Sequence, residues 1–222
     1  MDTELPRWMR RALSEPRLAP YLRLSGGDAA QAERLYYWNL EVASAFYGPL
    51  HFLEISLRNA FHRILTAKFD RPDWWEAAPL AVHSERQVCK AAEHTVTNVG
   101  SRRPTVPDDI VAELNFGFWV SLISRRYDRH LWVPALHAAF HDCPEARRDL
   151  HDGLLSLVLF RNRIMHHEPV HTRDLAADYA KLCRMLGYLE PEAAGLLPQI
   201  DRVAEALSRR ASVCAGLLTP RL

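Results

Sequence analysis

Lysine is almost missing from this sequence: of 28 basic residues only Lys68, Lys90 and Lys181 are lysines, and the rest are arginine. Arginine is the better fork for phosphate. A GC-rich genome produces the same excess, however, so the bias alone assigns no ligand. Cysteine is scarce as well. Cys89, Cys143, Cys183 and Cys214 stand alone with no CxxC pair, which argues against a disulfide framework and suits reduced, mostly structural thiols in a cytoplasmic protein. No window approaches 18 uncharged apolar residues, so no transmembrane helix is expected. The opening stretch MDTELPRWMRRALSEPRL lacks the apolar core of a signal peptide. Neither sign of charge dominates: 28 basic against 27 acidic residues leave a net charge of +1. That balance gives no bulk electrostatic reason to expect nucleic acid, a membrane or an acidic partner. No strand alternation persists, no repeat of fixed period occurs, and there is no low-complexity tract.

What is present is helical spacing. With 48% hydrophobic and 25% charged residues over 222 positions, the chain reads as one globular domain, 1–222, large enough to bury its own core. After the turn SGGD, Asp28 is placed to cap a helix through AAQAERLYYWNLEVASAF. Gly48 and Pro49 should kink or break it, and LHFLEISLRNAFHRILTAKF resumes the 3.6-residue pattern. RPDWWEAAP reads as a connector clamped by Trp74 and Trp75. A polar helix is expected over 80–98, a loop over VGSRRPTVP, and further helices near 108–124, 129–140, 146–168, 172–189 and 199–216. The expected fold is all-α, with the loop around 100–107 dividing two helical layers.

One stretch, RNRIMHHEPV at 161–170, gathers groups that hold phosphate or move protons. Pro169 disfavours α conformation at Glu168, so the helix should end there with His166 and His167 in its last turn. The negative end of the helix dipole favours a protonated imidazole, which suits a general acid–base catalyst. Asn162 and His166 share a face at i, i+4. Arg161 lies five residues from His166, roughly 140° round the axis. Arg161 must therefore reach around, or the last turn must distort, or the two groups act across different subunits. The plain alternative is a polar helix end rich in Arg and His that only complements the dipole. A metal site from His166, His167, Glu168 and His171 fits poorly, because adjacent histidines diverge by about 100° and helical zinc ligands favour i, i+4 spacing; no metal or other cofactor is expected. A second stretch, LEISLRNAFH, repeats the pattern with Arg58, Asn59 and His62, and places Glu54 one turn before Arg58. Between the apolar Leu53, Leu57, Phe61 and Ile64 it reads as structural support. The run FGFW at 116–119 could stack on bases but reads as core, and the paired arginines at 102–103, 125–126, 147–148 and 209–210 read as solvated faces.

Taken in order, LYYWNLEVASAFYGPLHFLEISLRNAFHRIL, FGFWVSLIS, LW and RNRIMHHEPV resemble the bacterial Abi-like proteins, named for abortive infection, within the HEPN superfamily of helical domains. The resemblance spans about residues 10–190. The family signature is an arginine, commonly a polar residue next, then a histidine four to six positions after the arginine. Arg161, Asn162 and His166 match it, and His167 fits the spacing too. The resemblance implies a HEPN-like helical bundle with additional helices. It also implies a metal-independent endoribonuclease, commonly a homodimer with facing motifs, acting on RNA as a toxin in phage defence or in a toxin–antitoxin system, with a protein or RNA antitoxin as a further partner. Arg161, Asn162, His166 and His167 would form the catalytic group. Glu54, Arg58, Asn59, His62, Arg163 and Glu168 would support it. The alternative is a non-catalytic HEPN-type module that binds RNA or protein under a partner's control.

Overall fold

A computed structural model describes residues 4–99 and 103–221. It is all-helical, with 74% helix and no strand among the described residues. In chain order the α-helices are α1 (Arg7–Leu13), α2 (Glu15–Leu24), α3 (Ala29–Ala45), α4 (Tyr47–Phe69), α5 (Val82–Val99), α6 (Pro107–Glu113), α7 (Phe116–Ser121), α8 (Arg147–Met165), α9 (Leu175–Leu189), α10 (Pro191–Ile200) and α11 (Val203–Cys214). Two compact units divide the chain: Met1–Leu50, Phe160–Lys181 and Gly195–Leu222 form the first, and His51–Leu159 with Leu182–Ala194 form the second. No helix among the described residues is long and apolar enough to cross a membrane.

The first unit is built on α3. Asp28 caps it as its sequence predicts, its Oδ1 accepting the Gln31 N–H at 2.9 Å. Ala32, Leu35, Trp38, Val42 and Phe46 recur at helical spacing and are buried. Helix α11 lies along this face: the Trp38 indole N–H donates to the Ala206 carbonyl at 2.8 Å, and the Arg210 guanidinium stacks over the Trp38 ring at 4.9 Å. Glu41, also buried, closes the unit. One of its oxygens accepts from Arg209 Nε at 2.7 Å and the other from the Arg221 backbone N–H at 3.0 Å, while Arg209 also donates to the Thr219 carbonyl at 2.6 Å. Arg209 is thus a buried partner rather than part of a solvated pair.

In the second unit Leu53, Leu57, Phe61 and Leu65, one turn apart on α4, are completely buried. Trp74 and Trp75 pack edge to face at 5.6 Å and hold the connector to the body, as expected. Phe116, Phe118 and Trp119 are core, with no face left for a base. Gly153 of α8 packs under the Met185 side chain of α9, whose methyl would stand 2.8 Å from a Cβ at this position.

Four stretches depart from the helical spacing read in sequence. Residues 108–124 break at Leu114, which is extended, because Asn115 starts a new helix by accepting the Phe118 N–H at 2.9 Å. Residues 129–140 form a π turn and a 3₁₀ turn instead of an α-helix; Pro134 has no N–H to continue the ladder. The N-terminal region, unassigned from its spacing, forms α1 and α2, joined at Ser14, and the gap left between the helices expected at 172–189 and 199–216 is filled by α10. The predicted loop at 99–107 falls partly on residues 100–102, outside the described residues.

Candidate functional site

Helix α8 ends at Met165, earlier than the proline rule predicts, and the cause is His167. This residue is left-handed, with φ 56°. The Glu168 N–H donates to the Arg163 carbonyl at 2.8 Å and the His167 N–H to the Ile164 carbonyl at 3.0 Å. That pair of bonds is a Schellman ending, in which glycine is the usual left-handed residue. Helix α2 ends the same way with Gly26 in that position, Gly27 N–H reaching the Leu22 carbonyl at 2.9 Å and Gly26 N–H the Arg23 carbonyl at 3.3 Å. A side chain in left-handed backbone is strained by about 1–2 kcal/mol, so residue 167 carries a conformational penalty that residue 26 avoids. Histidine is among the residues enriched at positive φ, yet glycine would fit better.

The turn exposes the chemistry. His166, His167 and Glu168 face solvent, while Arg161, Asn162 and Arg163 are half-buried in the last turn of α8. The His166 N–H still bonds the Asn162 carbonyl at 2.9 Å, so His166 keeps helical register with Asn162 and the offset from Arg161 persists. Arg163 and Glu168 pair across the turn at 3.4 Å. The pair is not aligned for a hydrogen bond, and Arg163 Nε is buried without one.

Two side chains far away in sequence fix the backbone of this turn. Arg17 of α2 donates to the His167 carbonyl at 2.5 Å. The Asn39 carboxamide oxygen, buried within α3, accepts two backbone N–H groups, Val170 at 2.8 Å and His171 at 3.1 Å. His171 then turns inward, 2% exposed, against the Tyr21 ring at 4.6 Å. Among the described residues neither of its ring nitrogens has a hydrogen-bond partner. Burial, reinforced by the Arg210 and Arg163 charges, pushes its pKa down to about 4. It is a neutral core imidazole, separated in role from the exposed His166–Glu168 turn. Beneath it, burial raises the Tyr21 phenol, with the Tyr36 hydroxyl adding to the effect.

The second stretch belongs to the other unit. The Trp74 indole N–H donates to His62 Nδ1 at 3.2 Å, which leaves the proton on Nε2, 3.5 Å from Asp108 Oδ1. Burial lowers the His62 pKa, Asp108 opposes it, and the Arg58 charge lowers it further. Arg58 Nε donates to the exposed Asn59 carboxamide at 3.3 Å, and Glu54 is half-buried on the same helix. These contacts fasten the Trp74 connector to α4, a packing role. Among the paired arginines, Arg103 binds Asp109 and Arg147 binds Asp128, whereas Arg102 lies outside the described residues.

Asn39, Arg17 and Tyr21 escaped sequence reading, and nothing local marks Arg17 or Tyr21. Only Asn39, a lone amide on the apolar face of α3, carried a signal: a buried carboxamide must find partners. Among the described residues no group of three or more His, Cys, Asp or Glu stands close enough to hold a metal ion. The comparisons with known proteins add nothing to this site: the chain matches no protein-family model, no curated protein and no solved structure.

Proposed function

We propose that this protein is a metal-independent endoribonuclease of HEPN type, serving as a toxin in phage defence or a toxin–antitoxin system. The supporting observation is the end of α8, where a solvent-exposed pair of histidines follows two arginines and an asparagine on a turn fixed by Arg17 and Asn39. In the reaction a histidine removes the proton of a ribose 2′-OH, and the 2′-oxygen bonds to the adjacent phosphorus. The bond from phosphorus to the 5′-oxygen breaks, and a second imidazole protonates the leaving oxygen. The products are a 2′,3′-cyclic phosphate and a 5′-hydroxyl, with no net oxidation and no co-reactant. Arg161 neutralises charge that grows on the phosphoryl oxygens, where a positioned donor acts most strongly. Asn162 orients the phosphate or the imidazole.

The reaction needs two imidazoles in complementary protonation states. Either His166 and His167 share the work, or two copies of His166 face each other in a homodimer. The second arrangement also brings Arg161 to a histidine without reaching around its own helix. Leu155 and Leu159, one turn apart on α8 and 40% and 57% exposed, give that helix an apolar edge suited to pairing with its copy.

The test is cleavage of RNA by purified protein in EDTA, with the ends characterised. Cyclic phosphate and 5′-hydroxyl ends are expected. His166→Ala or Arg161→Ala should lower the rate by about 10² to 10⁴ while the protein stays folded. Cleavage that requires a divalent metal overturns the mechanism. Loss of neither histidine affecting any RNA would leave the chain a binding module for RNA or protein, silent when expressed, where an active toxin would arrest growth and His166→Ala would relieve the arrest.

A further inference from the structure

A cleft of about 430 Å³ opens in the first unit where the end of α2, the start of α3 and the last turns of α11 meet. Its walls are Leu24, Leu35 and Leu207, and its polar lining includes Ser25, Gln31 and Arg210. Among the described residues no acidic side chain lines it. Among the described residues Arg210 has no carboxylate within ion-pair distance, although the same helix places its neighbour Arg209 in a buried pair with Glu41. The guanidinium is held over the Trp38 ring, so its orientation is set before any ligand arrives and little rotamer entropy remains to be lost. Ser25 supplies a separate observation. The residue is 8% exposed, and among the described residues its hydroxyl has no hydrogen-bond partner. A buried hydroxyl left unmatched needs a reason, and a ligand oxygen in the cleft provides one.

A rigid, uncompensated guanidinium beside an unmatched hydroxyl and a carboxamide is an acceptor-seeking set, suited to a phosphoryl oxygen. The apolar walls suit the flat face of a base attached to that phosphate. We propose that this cleft binds the phosphate of a nucleotide, with Arg210 and Ser25 as its ligating side chains. The nucleotide can come from two sources: a free mononucleotide, or a phosphate along an RNA strand whose cleavage occurs at the α8 turn. The second source rests on the nuclease reading; the first does not.

The experiment is calorimetric titration of the full-length protein with three probes: inorganic phosphate, adenosine 5′-monophosphate, and a short 2′-deoxy oligonucleotide that cannot be cleaved by 2′-OH attack. Binding is expected for both nucleotide probes, more tightly than for inorganic phosphate. Preference for the oligonucleotide assigns the cleft to a strand, and preference for the mononucleotide assigns it to a free ligand. Arg210→Ala should weaken binding by roughly tenfold or more, and Arg210→Lys, which keeps the charge without the fork, by less. Because Arg210 packs on Trp38, Ser25→Ala is the companion variant: it deletes an unmatched hydroxyl, so the melting temperature should hold or rise while affinity falls severalfold. Unchanged affinity in both Arg210→Ala and Ser25→Ala overturns the proposal, as does absence of binding to every probe. Cleavage of RNA by a protein whose cleft fails these tests leaves the nuclease reading intact. A functional cleft in a protein that cleaves nothing refutes only the nuclease.

Discussion

At the scale of single residues, His167 can be tested in both of its properties at once. Relieving left-handed strain gains about 1–2 kcal/mol, and the extra freedom of glycine in the unfolded chain gives back about 0.5–1. His167→Gly should therefore raise stability by about 0.5–1 kcal/mol, read as a higher denaturation midpoint. If His167 is one of the two proton carriers, the same variant loses RNA cleavage; if His166 from each copy carries both protons, activity survives. His171 makes a pH prediction. Both states are neutral above about pH 6.5; between there and pH 4 the unfolded chain takes up a proton that the buried ring refuses. Stability should thus fall as pH falls through that window, by up to about 3 kcal/mol from this residue, and His62 contributes with the same sign. His171→Phe keeps the ring against Tyr21 and should flatten the slope. An unaltered slope in the variant would show that His171 is not the source.

At the scale of elements, the turn after α8 is held more by α3 than by its own sequence. Asn39→Ala strands two buried backbone N–H groups and should destabilise the fold by about 2–4 kcal/mol, with faster amide exchange at Val170 and His171 as the local readout. The element scale also shows what a sequence can convey. The caps at Asp28 and the apolar spacing of α3 and α4 are local, and they were legible. The early end of α8 was not, because the Pro169 rule sets an outer limit and nothing in the chain announces that His167 will turn left-handed first. Residues 129–140 carry helical spacing in their apolar positions, yet Pro134 lacks the N–H for the ladder and π and 3₁₀ turns form on either side of it. The candidate site was legible as a cluster of residue types on one helix end, whereas its supports, Arg17 and Asn39, lie 150 and 131 positions from the groups they hold. Separation of that size leaves no trace in local pattern.

At the scale of the whole molecule, the proposed homodimer is tested through α8. Leu159 is exposed, so Leu159→Arg should change monomer stability by no more than about 0.5 kcal/mol. It should convert a dimer to a monomer in sedimentation at micromolar concentration and reduce cleavage with it. A wild-type protein that sediments only as monomer removes the dimer and leaves His166 and His167 of one chain to share the protons.

The clasp around Glu41 bears on when the protein becomes complete during synthesis. Most of the second unit, 51–159, is one continuous run of chain, and domains fold as units from the N-terminus as they emerge. The first unit cannot follow that schedule. Its central helix α3 leaves the ribosome early, carrying a carboxylate whose donors, Arg209 and the Arg221 backbone N–H, follow it by 168 and 180 residues. Until they arrive, Glu41 has no countercharge and the face of Trp38 has no cover, so nascent and prematurely terminated chains present this unit unfinished to cellular proteases. On the nuclease reading proposed above, the turn hung from α2 and α3 gains its full support only after Arg209 and Arg221 have emerged, which sets a delay between synthesis of the α8 turn and its activity.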